Sequence, residues 1–163
     1  MTNNLSLNKK IFSNDALASQ VKNWKEQKEK IIFTNGCFDI LHNGHLEILF
    51  AAAKLGGKLI VALNSDSSVK KIKGKSRPIN NESDRKKFLS YFNFIDGITL
   101  FYEETPYNLI KKLKPDYIVK GGDYKKEEVI GYDILSEYGG DVIIFPFKDG
   151  FSTTNIINQS KKS

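Results

Sequence analysis

Five short apolar runs alternate along the chain with segments of helical character, and this alternation constrains the fold more than any other feature. The runs lie at residues 30–35, 58–64, 97–101, 116–120 and 141–145. Each is too short for a buried helix and has the length of a buried strand. Strands joined by helices form a parallel sheet that helices cover on both faces. The sequence therefore predicts an α/β fold with a doubly wound, five-stranded parallel sheet, whose ligands bind beyond the carboxyl ends of the strands.

An additional helix precedes the first strand-like run. Ser13 or Asn14 can cap its amino end, and the helix is predicted to run to about residue 28. Three apolar residues recur on one face at helical spacing: Leu17, Val21 and Trp24. We therefore expect an N-terminal helical extension at residues 1–29 and a single globular unit at residues 30–163.

Five of the eight residues from 70 to 77 are basic: Lys70, Lys71, Lys73, Lys75 and Arg77. Gly74 and Pro78 are expected to break any helix here, so the run is predicted to be a mobile loop. It is either a solvated or nucleic-acid-binding face, or a loop that closes over a polyphosphate. We favour the polyphosphate, because aromatic residues do not alternate with the basic ones as they do in single-strand platforms.

Further helices are predicted downstream, among them one before the third strand-like run and one after the fourth. One, which Ser83 or Asn81 could start, turns Phe88, Leu89 and Phe92 towards the core. The other runs from about residue 126 to residue 138 and ends at a pair of glycines. Both segments place a helix between consecutive strand-like runs, as a doubly wound sheet requires.

The stretch from residue 34 to residue 45 joins the first strand to a strongly helix-forming segment. It contains both histidines of the chain, His42 and His45, at the start of that helix. A helix amino terminus presents free N–H groups and the positive end of a dipole, which suits an anionic ligand. Gly44 has no Cβ, so the backbone can approach that ligand closely. The pattern predicts a phosphate-binding site with two imidazole groups beside it.

Asp39 and Cys37 lie in the same stretch and allow several interpretations. The Asp39 carboxylate is placed to hold a magnesium ion through water, to orient a histidine, or only to form the turn. Cys37 is interpreted as a small packing residue, and the alternatives are a thiol nucleophile that works with a histidine or a zinc ligand. Zinc is disfavoured, because three ligands so close in sequence strain tetrahedral geometry and no fourth ligand is evident.

Two more segments that follow strand-like runs carry groups that suit a nucleotide. They are Lys120-Gly121-Gly122-Asp123-Tyr124 and Ser152-Thr153-Thr154. In the first, the glycines permit close approach, while Lys120 and Asp123 can contact phosphate, sugar or base. In the second, hydroxyl groups and helix N–H groups form a second anion site or simply a helix cap. All of these motifs fall where strands end, which predicts that they converge on one site.

The net charge of +6 is compatible with nucleic acid or with a polyphosphate. A single cysteine excludes an internal disulfide framework and favours the cytoplasm. No apolar run is long enough to cross a membrane, and the first residues lack the pattern of a signal peptide. We therefore expect a cytoplasmic protein without a membrane or nucleic-acid partner.

The motif His42-Asn43-Gly44-His45, with its lead-in at residues 34–39, resembles the hallmark of the cytidylyltransferase-like nucleotidyltransferases. Further segments in register extend the resemblance from about residue 9 to residue 160. They most resemble the branch that transfers AMP from ATP to D-glycero-D-manno-heptose 1-phosphate, giving ADP-heptose and pyrophosphate for lipopolysaccharide or related glycans. The resemblance implies a Rossmann-like fold and direct in-line attack without a covalent intermediate.

The resemblance also implies roles for individual residues, in three groups. The implied catalytic residues are His42, His45, Lys71 and Lys73. The implied nucleotide-binding residues are Thr34, Asn35, Gly36, Cys37, Phe38, Gly44, Arg85, Lys120, Gly122, Asp123, Ser152, Thr153 and Thr154. The implied substrate-binding residues are Asp39, Asn64 and Asp66, and Asp39 is also the expected ligand of Mg²⁺ through water.

The same resemblance implies ATP and a sugar 1-phosphate as substrates, Mg²⁺ as cofactor, a homodimer, and a sugar kinase upstream. Many relatives carry that kinase in the same chain, but 163 residues leave no room for it, so we expect a separate polypeptide.

Two alternative functions stay open. One is a cytidylyltransferase for a small phosphorylated alcohol or another sugar phosphate. Such enzymes often carry an Arg-Thr-Glu-Gly-Ile-Ser-Thr-Thr run, and residues 148–154 of this chain lack its arginine, which argues against this alternative. The other is a non-enzymatic nucleotide-binding or RNA-binding module, which should bind polynucleotides in a salt-sensitive way.

Overall fold

Five parallel strands form one sheet: β1 (Ile31–Gly36), β2 (Lys58–Asn64), β3 (Gly97–Phe101), β4 (Tyr117–Gly121) and β5 (Asp141–Phe145). Their order across the sheet is β3-β2-β1-β4-β5. The computed structural model describes residues 7–146 and residue 160. Each strand coincides with one of the apolar runs, and every neighbouring pair is parallel. The predicted Rossmann-like α/β fold with a five-stranded parallel sheet is therefore confirmed.

Within the described residues, six α-helices connect the strands: α1 (Asn14–Glu26), α2 (Asn43–Ala53), α3 (Asp66–Lys73), α4 (Glu82–Ser90), α5 (Tyr107–Leu113) and α6 (Tyr132–Ser136). Helices α1, α5 and α6 pack on one face of the sheet, and α2 and α4 pack on the other. Alternate residues of a strand point to opposite faces, so Ile31 belongs to the first core and Ile32 to the second. None of these helices combines the length and the apolar character that a membrane crossing requires.

The predicted N-terminal helix is confirmed as α1, and it is packed into the main core. Ser13 caps the helix, because its hydroxyl oxygen accepts a hydrogen bond from Ala16 N at 3.2 Å. Leu17, Val21 and Trp24 are buried in the same cluster as side chains of all five strands. The division into an extension and a globular unit stays a prediction, but α1 shares one hydrophobic core with the sheet.

The basic run that the sequence predicted to be a mobile loop begins instead as a helix, α3. Ser65 caps this helix, because its hydroxyl oxygen accepts a hydrogen bond from Ser68 N at 3.1 Å. Val69, on the inner side of the helix, is fully buried. Gly74 ends the helix with a φ of 100°. The loop prediction was wrong for residues 70–73, because the cap and the buried valine stabilise a helix that Gly74 only terminates.

Two other helical predictions were wrong in detail. The predicted helix at residues 126–138 is a 3₁₀ turn (Lys126–Glu128) followed by α6. The break falls at Gly131, whose φ is 95° and where a Cβ would lie 2.9 Å from Ile118 Cδ1. In α4, Phe88 was predicted to face the core but has 58% of its surface exposed, since the next residue takes the inward position.

The strand order places β1 at the centre of the sheet, where the winding changes direction. From β1 the chain passes through β2 to β3 at one edge, and then crosses back to β4 and β5 on the other side of β1. The carboxyl ends of β1 and β4 therefore flank a topological switch point, which is the usual ligand crevice of such sheets.

Candidate active site

The two histidines lie just beyond β1, at the start of α2. His42 occupies the N-cap position and His45 lies in the first turn, with Gly44 buried beside it. The two rings stack with centroids 3.8 Å apart and an interplanar angle of 26°. The His42 backbone N–H donates a hydrogen bond to His45 Nδ1 at 3.4 Å, which orients the second ring. The start of α2 therefore brings both imidazoles and the free helix N–H groups to one place.

Burial keeps both imidazoles uncharged near neutral pH. Desolvation lowers the pKa of His42, and desolvation, with smaller electrostatic effects of His42 when it is protonated and of Lys73, lowers the pKa of His45 to about 4. Because Nδ1 of neutral His45 accepts the bond from His42, its proton is on Nε2 and is available to a phosphate oxygen. The pair is therefore suited to stabilise phosphate through N–H donors rather than through fixed charge.

The loop between β1 and α2 holds a residue in an uncommon conformation. Phe38 has a φ of 46°, a left-handed value that is rare for a residue with a side chain. Its buried ring packs against His45, with centroids 4.9 Å apart. The same ring lies 3.0 Å from the position that a Cβ on Gly36 would take. Strain of this kind persists where the surroundings impose it and is frequent at functional sites.

A small pocket of about 120 Å³ lies beside His45 at the switch point. Its lining residues are Thr34, Asn35, Gly36, Phe38, His45, Ile48, Lys120 and Gly121. They come from the carboxyl ends of β1 and β4, from the loop after β1 and from the first turns of α2. An anion in this pocket would meet the helix amino terminus, an imidazole donor and the ammonium group of Lys120.

A larger cleft of about 460 Å³ adjoins this pocket. Its lining residues are Asn35, Gly36, Cys37, Asn64, Ile72, Lys73, Glu104, Thr105, Pro106, Lys120, Tyr124, Glu128, Val129 and Ile130. The cleft therefore carries positive charge from Lys73 and Lys120 and negative charge from Glu104 and Glu128. Three residues line both cavities, and Lys120 is the charged one among them.

Several cleft residues were not predicted to be functional. Glu104 and Thr105 follow β3, so the rule that ligands bind beyond strand ends identifies them in retrospect. Glu128 lies in the 3₁₀ turn that stands where a helix was predicted, and no sequence signal indicated it.

The structure separates the two lysines that the sequence left equivalent. Lys73 lines the larger cleft, and its positive charge contributes to the low pKa of His45. Lys71 is exposed on the same helix and lines neither cavity. Residues two apart on a helix face different directions, which explains why the cleft contains one of them and not the other.

Asp39 is buried and forms a link within the protein. Its carboxylate accepts hydrogen bonds from Arg77 Nε at 2.8 Å, Ile79 N at 2.9 Å and Asn80 N at 2.8 Å. Burial alone would raise the pKa of Asp39, but these bonds and the Arg77 charge lower it overall. The ionised carboxylate therefore holds residues 77–80 against the loop after β1. This structural role was not predicted, and the substrate and magnesium roles of Asp39 stay predictions.

Arg85 is also directed into the protein, with 1% of its surface exposed. It donates hydrogen bonds to the backbone oxygens of Cys37 at 2.8 Å, Asn64 at 2.7 Å and Asn80 at 3.0 Å, and to Asp66 Oδ1 at 2.7 Å. Arg85 thus joins the loop after β1 to the end of β2 and the start of α4. It lines neither of the two cavities, so its predicted nucleotide contact and the predicted substrate contact of Asp66 stay predictions.

The remaining predicted site residues lie in different surroundings. Asn64 is buried at the end of β2, donates a hydrogen bond to Ser68 Oγ at 2.9 Å and lines the larger cleft. Gly122 is buried with a φ of 131°, and Asp123 beside it is exposed. The predicted anion-binding residues 152–154 lie outside the described residues.

Cys37 is half-buried in the larger cleft. Burial raises the pKa of its thiol, although the charges of Lys73 and Arg85 oppose this shift. The thiol is therefore protonated near neutral pH, and its Sγ lies 3.7 Å from Asn64 Oδ1. Because the thiolate is the nucleophilic form of cysteine, the surroundings favour the packing interpretation of Cys37.

Comparisons of the sequence find a family and several relatives. The profile of the cytidylyltransferase-like family matches residues 33–159. The bifunctional protein HldE of Campylobacter jejuni subsp. doylei is 48% identical to this chain over 159 residues. That match covers 98% of this chain and 33% of the relative, so the chain spans about a third of the length of the curated relatives it matches.

Comparisons of the structure agree with the fold. A lipopolysaccharide core biosynthesis protein from Thermoplasma volcanium has a TM-score of 0.60 and 28% sequence identity, and the match covers 76% of this chain and 99% of that one. A pantoate–β-alanine ligase from Francisella tularensis has a TM-score of 0.62 over 93% of this chain and 76% of that one. At 15% identity, this second structure supports the fold alone.

Proposed function

The chain belongs to the cytidylyltransferase-like family, and we propose that it transfers AMP from ATP to D-glycero-D-manno-heptose 1-phosphate. The observation that carries this proposal is the pair of adjoining cavities at the switch point, one beside His45 and the other beside Lys73. The sugar class is supported by the sequence motifs and by the solved relative whose name places it in lipopolysaccharide core biosynthesis. The products are ADP-heptose and pyrophosphate.

The nucleotide is assigned to the crevice between β1 and β4. The α-phosphate is assigned to the pocket beside His45, where the imidazole of His45 and the N–H groups of α2 donate to its oxygens. The ribose and base extend beyond β4 towards Gly122 and Asp123. The β- and γ-phosphates are assigned to the predicted anion site at residues 152–154.

The acceptor is assigned to the larger cleft, whose chemistry suits a phosphorylated polyol. Lysine ammonium groups at one side suit the phosphate, and they belong to Lys73 and Lys120. Carboxylates accept hydrogen bonds from sugar hydroxyl groups, and Glu104 and Glu128 provide them on the same cleft. The volume of about 460 Å³ accommodates a seven-carbon sugar phosphate.

The proposed reaction is one in-line displacement. An oxygen of the acceptor phosphate forms a bond to the α-phosphorus, and the bond from that phosphorus to the bridging oxygen breaks, so pyrophosphate leaves. The acceptor phosphate is already an anion, so no protein group has to remove a proton from it. The work of the protein is to position the two phosphates and to stabilise charge, through the imidazoles of His42 and His45 and the ammonium group of Lys73.

Mg²⁺ is expected to enter with the triphosphate. Among the described residues, no three histidine, cysteine or acidic side chains gather into a metal-binding group. Of the lining residues that the structure describes, none in the pocket beside His45 is a carboxylate, and those of the larger cleft are Glu104 and Glu128. Mg²⁺ commonly keeps several waters and binds chiefly to substrate phosphates, so this environment is compatible with it. A separate sugar kinase and a homodimer also stay predictions.

The proposal predicts a nucleotide preference. In a panel of nucleoside triphosphates with heptose 1-phosphate, ATP should give at least about tenfold higher kcat/KM than CTP or GTP, equivalent to about 1.4 kcal/mol in the transition state. Pyrophosphate release provides the measurement, and glucose 1-phosphate provides the comparison acceptor. Equal or better turnover with CTP would retire the adenylyl assignment, and turnover of a small phosphorylated alcohol would favour the cytidylyl alternative.

Direct transfer also predicts that Cys37 takes no covalent part. Cys37→Ser should keep most of the activity, and iodoacetamide should alkylate Cys37 slowly at pH 7, because burial raises the pKa of the thiol. The extent of alkylation is measured by mass spectrometry across a pH series, with free cysteine as the control. Alkylation faster than that of free cysteine at pH 7, or a stable nucleotidyl adduct on Cys37, would contradict direct transfer.

A further inference from the structure

Lys120 occupies the wall between the two cavities. It is the fourth residue of β4, and it lines both the pocket beside His45 and the larger cleft. The strand fixes its backbone, since Lys120 stands in register with Ile144 of β5. A group at this position is within reach of a ligand in either cavity.

In the part of the chain that the structure describes, no carboxylate neutralises the ammonium group of Lys120. None lies within ion-pair distance of its Nζ, whereas Lys126 pairs with Asp141 at 2.9 Å. Its recorded contact is with the ring of Tyr124, whose centroid lies 5.8 Å from Nζ. Lys120 is half-buried, and desolvation lowers its pKa. A partly desolvated cation without an anionic partner is suited to an anionic ligand.

We propose that Lys120 contacts both substrates at once and reduces the repulsion between their phosphates. The inference rests on the proposed function. The nucleophile and the α-phosphate are both anions, and they must approach to about 3 to 3.5 Å before the bond forms. Their repulsion increases as the site excludes water, because the effective dielectric constant falls. A cation on the wall between them offsets this repulsion, and Lys73 does not replace it because it lines the larger cleft alone.

The test is the coupling between the two ligands at equilibrium. The dissociation constant of heptose 1-phosphate is measured by calorimetry, without nucleotide and at saturation with the unreactive analogue α,β-methylene-ATP. In the wild-type protein we expect the analogue to change this constant by less than about threefold. In Lys120→Met we expect the analogue to weaken acceptor binding by at least about tenfold, since the two anions then meet without the cation. Linkage requires an equal effect of the acceptor on the analogue, which provides an internal check.

Two variants serve as controls. Lys125→Met removes an exposed lysine that follows the same strand and lines neither cavity, and it should behave as the wild type. Lys120→Arg keeps the cation and should preserve most of the wild-type coupling. Lys120→Gln is a second neutral variant, to be used if methionine impairs folding, and it should show the same antagonism as Lys120→Met.

The outcomes separate this inference from the proposed function. A wild-type protein that binds the analogue but no sugar phosphate would refute the proposed function, and the inference with it. Normal binding of both ligands by the wild type, with unchanged coupling in both neutral variants, would overturn the inference alone. A loss of acceptor affinity that is equal with and without the analogue would also overturn it, because Lys120 would then contact the acceptor only.

Discussion

Lys73→Met should lower kcat by a factor on the order of 10² to 10³, the size expected when one preorganised charge contact is lost. Lys73 lies in the last turn of α3, lines the larger cleft and has a positive charge that acts on His45. During the attack, the anionic acceptor phosphate comes into bonding contact with the α-phosphate, and a cation held in the acceptor cleft stabilises this charge in the transition state. The loss should therefore appear in kcat, measured by continuous detection of pyrophosphate.

Lys71→Met is the matched control for this prediction. Lys71 has the same chemistry on the same helix and is exposed as Lys73 is, but it lines neither cavity. Its loss should change kcat by no more than about twofold at physiological salt, because distant exposed charges are screened. Equal losses in the two variants would show that the basic run acts through its general charge and that the position of Lys73 has no special importance.

The same two variants distinguish an enzyme from a nucleic-acid-binding module. If the basic residues of α3 bind a polynucleotide, each substitution should weaken RNA binding and flatten the slope of log K against log salt by about one unit. The catalytic interpretation of Lys73 would be falsified if pyrophosphate release stayed unchanged while the salt slope became flatter.

Arg85→Met should reduce the free energy of unfolding by about 3 to 5 kcal/mol, as expected when one member of a buried ionic network is removed. Methionine approaches the volume of the arginine stem, but it leaves three backbone oxygens and the Asp66 carboxylate without their donor. Domains are stable by only about 5 to 15 kcal/mol, so the loss should be a large fraction of the total. Urea denaturation measures it as a shift of the midpoint.

Lys87→Met is the control, because Lys87 is exposed on the same helix. Its stability should stay within about 0.5 kcal/mol of the wild type. Arg85→Lys keeps the charge but not the planar donor geometry, so it should lose an intermediate amount of stability. The opposite result, with stability unchanged in Arg85→Met and only the KM for ATP raised, would restore the predicted phosphate contact and refute the structural role.

The sequence by itself determined the strands, most of the helices and the place of the histidine pair. Its signals are local: a buried strand needs only a short apolar run, and α1 needs only a cap at Ser13 and an apolar face. The same is true of His42 and His45, because their spacing places both at the start of one helix. A local pattern of this kind remains readable without knowledge of the rest of the chain.

Local patterns were misleading where a glycine or a buried side chain outweighed them. At α3, Gly74 suggested a loop, but the Ser65 cap and the burial of Val69 stabilise a helix that ends there. At residues 126–138, helical periodicity suggested one helix, but Gly131 takes a left-handed conformation against Ile118. In both cases packing against the rest of the protein decides where the helix begins and ends, and a short stretch of sequence does not contain that information.

The partners of the polar side chains were decided by tertiary structure alone. Asp39 and Arg77 are 38 residues apart in the chain, and Arg85 and Cys37 are 48 apart. From the sequence, Asp39, Arg85 and Cys37 were predicted to be site residues and Arg77 to be part of a basic loop. The fold instead buries Asp39 and Arg85 in hydrogen-bond networks within the protein. Tertiary structure also distinguished Lys73 from Lys71 and placed Lys120 between two cavities. The physical reason is that periodicity and capping act over a few residues, whereas the environment of a charge depends on strand order, which brings distant segments together at the ends of β1 and β4.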